Sequence, residues 1–161
     1  MSQSPLSRTE LYALVKQTLA DVSRTHRCHE KDREILSARA KRIRAANTVL
    51  LAVSSTGILT TLITENRAAT WAAAFTTFAS LLFSLWQLQF APESEVAAHK
   101  EAADKYYSLR SEFRTLGARM MTLIDEELES TYERLMRQLN ELTAASPRTS
   151  KKAYRLTREK D

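Results

Sequence analysis

The sequence predicts an all-α membrane protein: a two-helix transmembrane hairpin with long cytoplasmic helices, assembled as an oligomer. Three observations predict this. The 161 residues include two glycines and three prolines, and the helix-favouring Ala, Leu, Glu, Arg and Lys dominate. Two stretches without a charged side chain, residues 45–64 and 68–91, are joined by a short polar link. A long heptad pattern of apolar residues follows them.

The N-terminal segment, residues 1–44, is predicted to form cytoplasmic helices with a net charge of +5. Its charges are spread throughout, so we expect no signal peptide, and the single Cys28 fits a reducing compartment. His26, Cys28 and His29 form a metal-like cluster, but His29 would point away from Cys28 on a helix, so we predict no metal site. A weak apolar stripe is expected to face the core: Leu11, Leu14, Val15, Val22, Ile35, Leu36 and Ile43.

Residues 45–91 are predicted to form the transmembrane hairpin, with spans at 45–64 and 68–91 and a tip at 65–67. About 20 apolar residues are enough to cross the hydrocarbon core of a bilayer. Soluble helices of this length usually carry charges on their outer face, whereas neither run has a charge on any face. The alternative is a soluble bundle with two buried central helices, which the hydroxyl-rich first run supports.

The basic residues indicate the orientation of the hairpin. Lys41, Arg42 and Arg44 precede the first run, whereas the tip holds only Arg67. Because loops rich in Lys and Arg stay in the cytoplasm, both termini are predicted to be cytoplasmic in a multi-pass protein of the inner (cell) membrane. Trp71 and Trp86 lie about 22 Å apart along the second helix, where interfacial aromatic residues belong.

The second run carries a polar stripe on one helical face and an aromatic and leucine stripe on another. Small and hydroxyl residues let membrane helices approach and hydrogen-bond, so one interpretation is helix packing. The other is a water-filled pore, which two helices cannot enclose and which therefore requires a homo-oligomer, most plausibly of four or more subunits. The predicted pore-lining residues are Thr77, Ser80, Ser84 and Gln87.

Residues 92–146 are predicted to form a cytoplasmic helical, coiled-coil region that begins at Pro92 and bends near Gly117 or the acidic residues 125–127. Residues 147–161 are predicted to be a basic tail with a net charge of +4, either disordered and attracted to anionic headgroups or a clamp for a phosphate-bearing ligand. The heptad positions of residues 92–146 are His99, Ala102, Tyr106, Leu109, Phe113, Leu116, Met120 and Leu123, then Leu128, Tyr132, Leu135, Leu139 and Leu142.

Catalytic motifs are missing from the sequence. It contains no phosphate-binding loop, no nucleophile elbow and no HExxH, and only three histidines. His99 falls on the heptad seam, where packing is the expected role. We therefore predict that the protein is not an enzyme and needs no cofactor.

The layout resembles the SLATT domain, a family of two-transmembrane effectors associated with nucleotidyltransferases in prokaryotic conflict systems. Three features carry the resemblance: "CHEKDREILSARAKRIRAAN" running into the first span, the tight hairpin, and "AAHKEAADKYYSLRSEF" directly after the second span. The resemblance covers residues 8–142, and the tail from Pro147 is expected to lie outside it.

The resemblance implies a pore-forming effector of antiphage defence, gated by a nucleotide or short oligonucleotide from a partner nucleotidyltransferase. Membrane lipid and further copies of the chain are the other implied partners. One alternative is a phage holin-like lysis protein, although lysis needs no fifty-residue heptad segment. The other is a non-conducting membrane scaffold or regulator.

A nucleotide signal requires cations for its phosphates and aromatic rings for its bases. Tyr107, Arg110 and Arg114 share a helical face beside Tyr106, and Arg42 in the basic stretch before the first span is predicted to close the site. The alternative is that these cations pair with nearby carboxylates of the same helix: Glu101, Asp104 and Glu112.

Overall fold

The computed structural model describes residues 7–63, 67–89 and 93–158, and all regular structure in these ranges is α-helical. The all-α prediction is therefore confirmed for the described part of the chain. The helices are α1 (Arg8–Ile63), α2 (Arg67–Gln89), α3 (Glu93–Arg119), α4 (Asp125–Ala145) and α5 (Lys151–Arg158). By its contacts the chain divides into a helical unit, residues 1–34 with 95–161, and a hairpin unit, residues 35–94.

Helix α1 runs for 56 residues without a break at the predicted boundary after residue 44. It begins with a capping box, in which the N–H of Glu10 donates to Ser7 Oγ (3.3 Å) and the N–H of Ser7 donates to Glu10 Oε2 (2.9 Å). The hydroxyl of Ser7 also donates to Glu10 Oε2 at 2.7 Å, and this bond, followed by the one from the N–H of Ser7, lowers the pKa of Glu10. Helix α1 can extend over 56 residues because no proline interrupts it between Arg8 and Ile63.

The core of the helical unit is formed by α1, α3 and α4. The predicted seam is buried from His99 to Leu116 in α3 and at Met120 directly after it, whereas Leu123 is half-buried. Leu128 and Leu135 of α4 complete the core. Helix α1 contributes Leu11, Val15 and Val22. The heptad pattern thus identified the buried face of α3, because a 3–4 spacing places its residues on one side of a helix.

The break between α3 and α4 falls at residues 120–124, directly before the predicted acidic bend. Gly117, the other predicted bend, lies inside α3. Carboxylates fill the first turn of α4, where the helix dipole favours negative charge. Arg8 of α1 donates to Asp125 at 2.5 Å and to the carbonyl of Leu123 at 2.9 Å, so it fixes this turn against α1.

In the hairpin unit, α2 packs antiparallel to the second half of α1, because Asn47 contacts Ser84 while Ser54 contacts Ser80. The segment Arg67–Gln87 is long and apolar enough to cross a membrane; among the described residues it is the single such segment. The first predicted span, residues 45–64, stays a prediction, because the structure describes the side chains of α1 only as far as Gly57. Thr64, Glu65 and Asn66 lie outside the described residues.

Candidate functional site

The centre of the hairpin is a close contact between small side chains of α1 and α2. Ser54 Oγ and Ser80 Oγ are 2.6 Å apart, and their residues are 5% and 2% exposed. A Cβ added to Gly57 would lie 3.3 Å from Cβ of Ala73, so the helices approach closely at this point. The sequence thus selects small residues where the two helix backbones come nearest.

The four predicted pore-lining residues lie along this same face of α2. Ser80 is buried against α1, and the hydroxyl of Ser84 donates to Asn47 Oδ1 at 3.2 Å. Thr77 is exposed, with its hydroxyl donating to the carbonyl of Ala73. Gln87 Oε1 is buried and accepts no hydrogen bond from the described residues. Packing within one protomer therefore accounts for Ser80 and Ser84, and pore lining by the stripe stays a prediction.

The opposite face of α2 exposes a continuous apolar surface. Trp71 is 77% exposed and Phe75 is 75% exposed, and the surface continues along the helix through Phe78, Leu82 and Leu85. Large exposed apolar patches mark protein or membrane contacts. The polar face of α2 is turned towards α1 and its apolar face is turned outwards, which is the reverse of a soluble helical pair.

In the helical unit, the predicted ligand residues Arg110 and Arg114 form no ion pair with any described residue. Two of the three candidate carboxylates are engaged elsewhere: Glu101 binds Lys105 at 2.6 Å and Glu112 binds Arg134 at 3.3 Å. The third, Asp104, forms no ion pair with a described residue. The alternative drawn from the sequence, pairing of these arginines with Glu101, Asp104 or Glu112, is therefore not found among the described residues.

His26 of α1 joins this predicted site, which sequence reasoning missed. Its ring lies 5.7 Å from the ring of Tyr107, which is 60% exposed. Burial lowers the pKa of His26, the carboxylates of Glu30 and Asp104 oppose this shift, and the positive charge of Arg110 adds to it. Its Nδ1 is buried and makes no hydrogen bond to the described residues. No spacing in the sequence connects His26 with Tyr107, because the two helices meet only in the folded chain.

Tyr106 and Arg42 are placed differently from these residues. Tyr106 is 2% exposed, its ring stacks on His29 at 5.3 Å, and its hydroxyl lies 3.1 Å from Thr143 Oγ1. It is therefore a core residue that supports its neighbour Tyr107. Arg42 is exposed and belongs to the hairpin unit.

A groove of about 520 Å³ lies between α3 and α4, and it is lined by none of the predicted ligand residues. Arg119 and Arg134 reach it, but so do Glu112 and Glu127, and Arg134 already pairs with Glu112. The mixed charge of the groove makes it a poorer match for an anion than the face of Tyr107, Arg110 and Arg114.

The interpretation of the C-terminal segment as a disordered tail is wrong for residues 151–158, which form α5. Asp32 of α1 is 4% exposed; its Oδ2 accepts from the N–H of Ser150 at 2.7 Å and its Oδ1 from the hydroxyl of Ser150 at 2.5 Å. Cys28 Sγ lies 3.3 Å from Thr157 Oγ1. Ala153, with no exposed surface, faces inwards between these contacts. A buried carboxylate needs hydrogen-bond donors, and Ser150, the residue directly before α5, supplies them.

The comparison with protein families shows to which family this chain belongs. The family described as "SMODS and SLOG-associating 2TM effector domain family 4", SLATT for short, matches residues 11–160. The chain belongs to this SLATT family. Neither the curated proteins nor the solved structures provided a match.

The SLATT match confirms the resemblance drawn from the helix before the hairpin and the motif after it. It also corrects one expectation, because it extends through residues 147–160 and includes α5. Membership identifies the chain as a membrane effector of conflict systems, in a family named for association with SMODS nucleotidyltransferases. SLATT is an effector family and not a known enzyme family.

Proposed function

We propose that this SLATT protein forms an oligomeric membrane pore in antiphage defence, controlled by a nucleotide or oligonucleotide from its partner nucleotidyltransferase. The observation that carries the proposal is the hairpin with hydroxyl side chains inside and aromatic side chains outside. Such a hairpin suits lipid on one face and polar contacts between subunits on the other. Family membership favours this function over a holin-like lysis protein.

Pore lining is best tested at the two stripe residues that are least engaged with α1. Thr77 is exposed, and Gln87 Oε1 has no described donor. In an assembly of four or more subunits, the side chains of both residues are proposed to line the water-filled channel. Ser80 and Ser84 belong to the same proposed lining, but their substitution also disturbs the contact with α1.

The experiment measures ion flux through proteoliposomes that contain the purified chain. We expect Thr77→Leu to reduce flux at least tenfold and Gln87→Glu to change the preference between cations and anions, because a charged ring alters selectivity. Phe78→Leu, on the outer face, is the matched control. Assembly is followed by cross-linking. Unchanged flux in both stripe variants would exclude the stripe as the lining of a pore, and absence of flux through the unaltered chain would indicate a non-conducting scaffold.

The control site for this pore is proposed on the face of Tyr107, Arg110 and Arg114, next to His26. The arginines are free of ion pairs with described residues, and the exposed tyrosine ring offers a stacking surface for a base. Tyr106 supports this face from beneath, whereas Arg42 belongs to the hairpin unit and stays a prediction from the sequence.

Co-expression with the partner nucleotidyltransferase tests this site. We expect Arg110→Glu and Arg114→Glu to suppress signal-dependent growth arrest, because a carboxylate repels phosphate, while expression and assembly stay unchanged. Arg137→Glu on α4, also exposed and unpaired among the described residues, is the control. If both variants bind the purified signal with the affinity of the wild type, the site lies elsewhere.

A further inference from the structure

Helix α5 presents a face on which cations are concentrated. Its buried side is made by Ala153 and Thr157, with Leu156 half-buried, and its exposed side contains no acidic residue. At 100° per residue, the outward positions cluster around Lys151, Arg155 and Arg158, with Tyr154 and Lys152 at the edges. All five of these residues are exposed: Lys151, Lys152, Tyr154, Arg155 and Arg158.

The cations of this face have no carboxylate partner in the described part of the chain, whereas five other cations of the helical unit form ion pairs. Like charges three and four residues apart on a helix repel one another, so the arrangement works against α5 as an isolated helix. The pairs found elsewhere in the helical unit are Arg8–Asp125, Lys31–Glu34, Arg33–Glu30, Lys105–Glu101 and Arg134–Glu112.

Two contacts hold α5 in place despite this repulsion, that of Asp32 with Ser150 and that of Cys28 with Thr157. We call these two contacts the clasp. The carboxylate of Asp32 receives two hydrogen bonds from Ser150, and Ser150 Oγ in turn accepts from the N–H of Ala153 at 3.1 Å. Two buried residues of α1 are thus devoted to fixing a short basic helix. Fixed cations lose less conformational freedom on binding than cations on a mobile tail, which increases affinity.

We propose that the exposed face of α5 is a binding site for a ligand that carries several phosphate groups. The cations extend over about 10 Å from Lys151 to Arg158, too far for one phosphate to contact all of them. Tyr154, 46% exposed at the edge of the face, provides a ring for stacking. The family match extends through α5, which makes this face part of the effector domain. The site is separate from the proposed face of Tyr107 and does not depend on conduction.

Two sources of clustered phosphate fit this chemistry: a nucleotide chain in solution and the headgroups of anionic lipids. The first arm titrates the full chain in detergent with a fluorescein-labelled tetranucleotide bearing a 5′-phosphate, read by anisotropy at several salt concentrations. The second arm incubates the delipidated chain with equal amounts of phosphatidylglycerol and phosphatidylcholine and quantifies the lipids retained.

The test variant is Arg155→Gln with Arg158→Gln, and the control is Arg119→Gln with Arg137→Gln, which removes the same charge from exposed positions of α3 and α4. In the first arm we expect a roughly tenfold weaker Kd for the test variant, and a salt slope smaller by about 1.4, or 0.7 per lost phosphate contact on a single strand. In the second arm we expect the enrichment of phosphatidylglycerol to disappear. Ser150→Ala, which keeps every cation, should also weaken binding, with Thr149→Ala as its control.

A loss confined to the first arm identifies a soluble nucleotide chain, and a loss confined to the second identifies lipid; each supports the site. Equal losses in the test and control variants would mean that net charge alone attracts phosphate, and the proposal would be wrong. Unchanged binding of the test variant in both arms would overturn it as well. Neither arm measures ion flux, so a failed pore proposal leaves this result interpretable.

Discussion

At the scale of single residues, the least expected feature is a pair of buried imidazoles. His29 Nδ1 and His99 Nδ1 are 3.0 Å apart, and the residues are 2% and 7% exposed. One Nδ1 must donate and the other accept, so both rings cannot be cationic. Burial and, next to it, the charge of His99 lower the pKa of His29 to about 4, against the opposing effect of the Asp32 carboxylate.

This pair predicts that acid destabilises the helical unit. The unfolded chain binds a proton at His29 near pH 6.5, whereas the folded chain does so only near pH 4. The contribution of His29 to stability is therefore present above pH 6.5 and is lost as the pH falls towards 4. Between pH 7.5 and 5, we expect the free energy of unfolding to fall by about 2 kcal/mol on account of this residue.

The measurement is urea unfolding of the full chain in detergent, followed by circular dichroism at both pH values. His29→Gln should be less stable than the wild type at pH 7.5, because a polar group stays buried with an altered partner. The difference in the free energy of unfolding between pH 7.5 and pH 5 should be about 2 kcal/mol smaller in this variant than in the wild type. An equal pH dependence in the wild type and the variant would exclude His29 as the titrating group.

At the scale of helices, the α1–α2 contact depends on the absence of a side chain at Gly57. Its helical backbone needs no glycine, since no described glycine has a positive φ. The reason for glycine is therefore space: a Cβ at this position would lie 3.3 Å from Cβ of Ala73, tighter than ordinary van der Waals contact. A larger residue forces α1 and α2 apart and strains the Ser54–Ser80 hydrogen bond one turn away.

We predict that Gly57→Val destabilises the hairpin by about 1–3 kcal/mol, the usual cost of overpacking. Adding Ala73→Gly should recover part of that loss, because it removes the methyl group that the new side chain meets. Thermal unfolding of the detergent-solubilised chain measures both variants, with Ser55→Val, an exposed neighbour, as the control. No recovery in the double variant would mean that Gly57 and Ala73 are not in contact.

At the scale of the whole molecule, periodicity predicted the buried face of α3 but not which helices meet. The 3–4 spacing from His99 to Met120 marks the core face of α3, and all of these positions are buried. The clasp of α5 joins Asp32 to Ser150, 118 residues later, and Cys28 to Thr157, 129 residues later. Partners so far apart in the sequence leave no local pattern. The sequence therefore indicates a basic tail over residues 147–161, although residues 151–158 form a helix. The contact between His26 and Tyr107 leaves no local pattern for the same reason.

The remaining whole-molecule question is how the hairpin lies in the membrane, and charge predicts the answer. Arg44 before the first predicted span binds Glu93 after the second at 2.8 Å, so the two outer ends of the hairpin are adjacent. The basic residues Lys41, Arg42 and Arg44 at these ends favour the cytoplasmic side. A cysteine placed at Asn66 should therefore react with an impermeant maleimide in intact cells, whereas Thr149→Cys should react only after permeabilisation. The unaltered chain is the blank, since its Cys28 is 3% exposed. If Thr149→Cys is labelled in intact cells and Asn66→Cys is not, the topology is the reverse of the predicted one, and a cytoplasmic ligand for the helical unit is excluded.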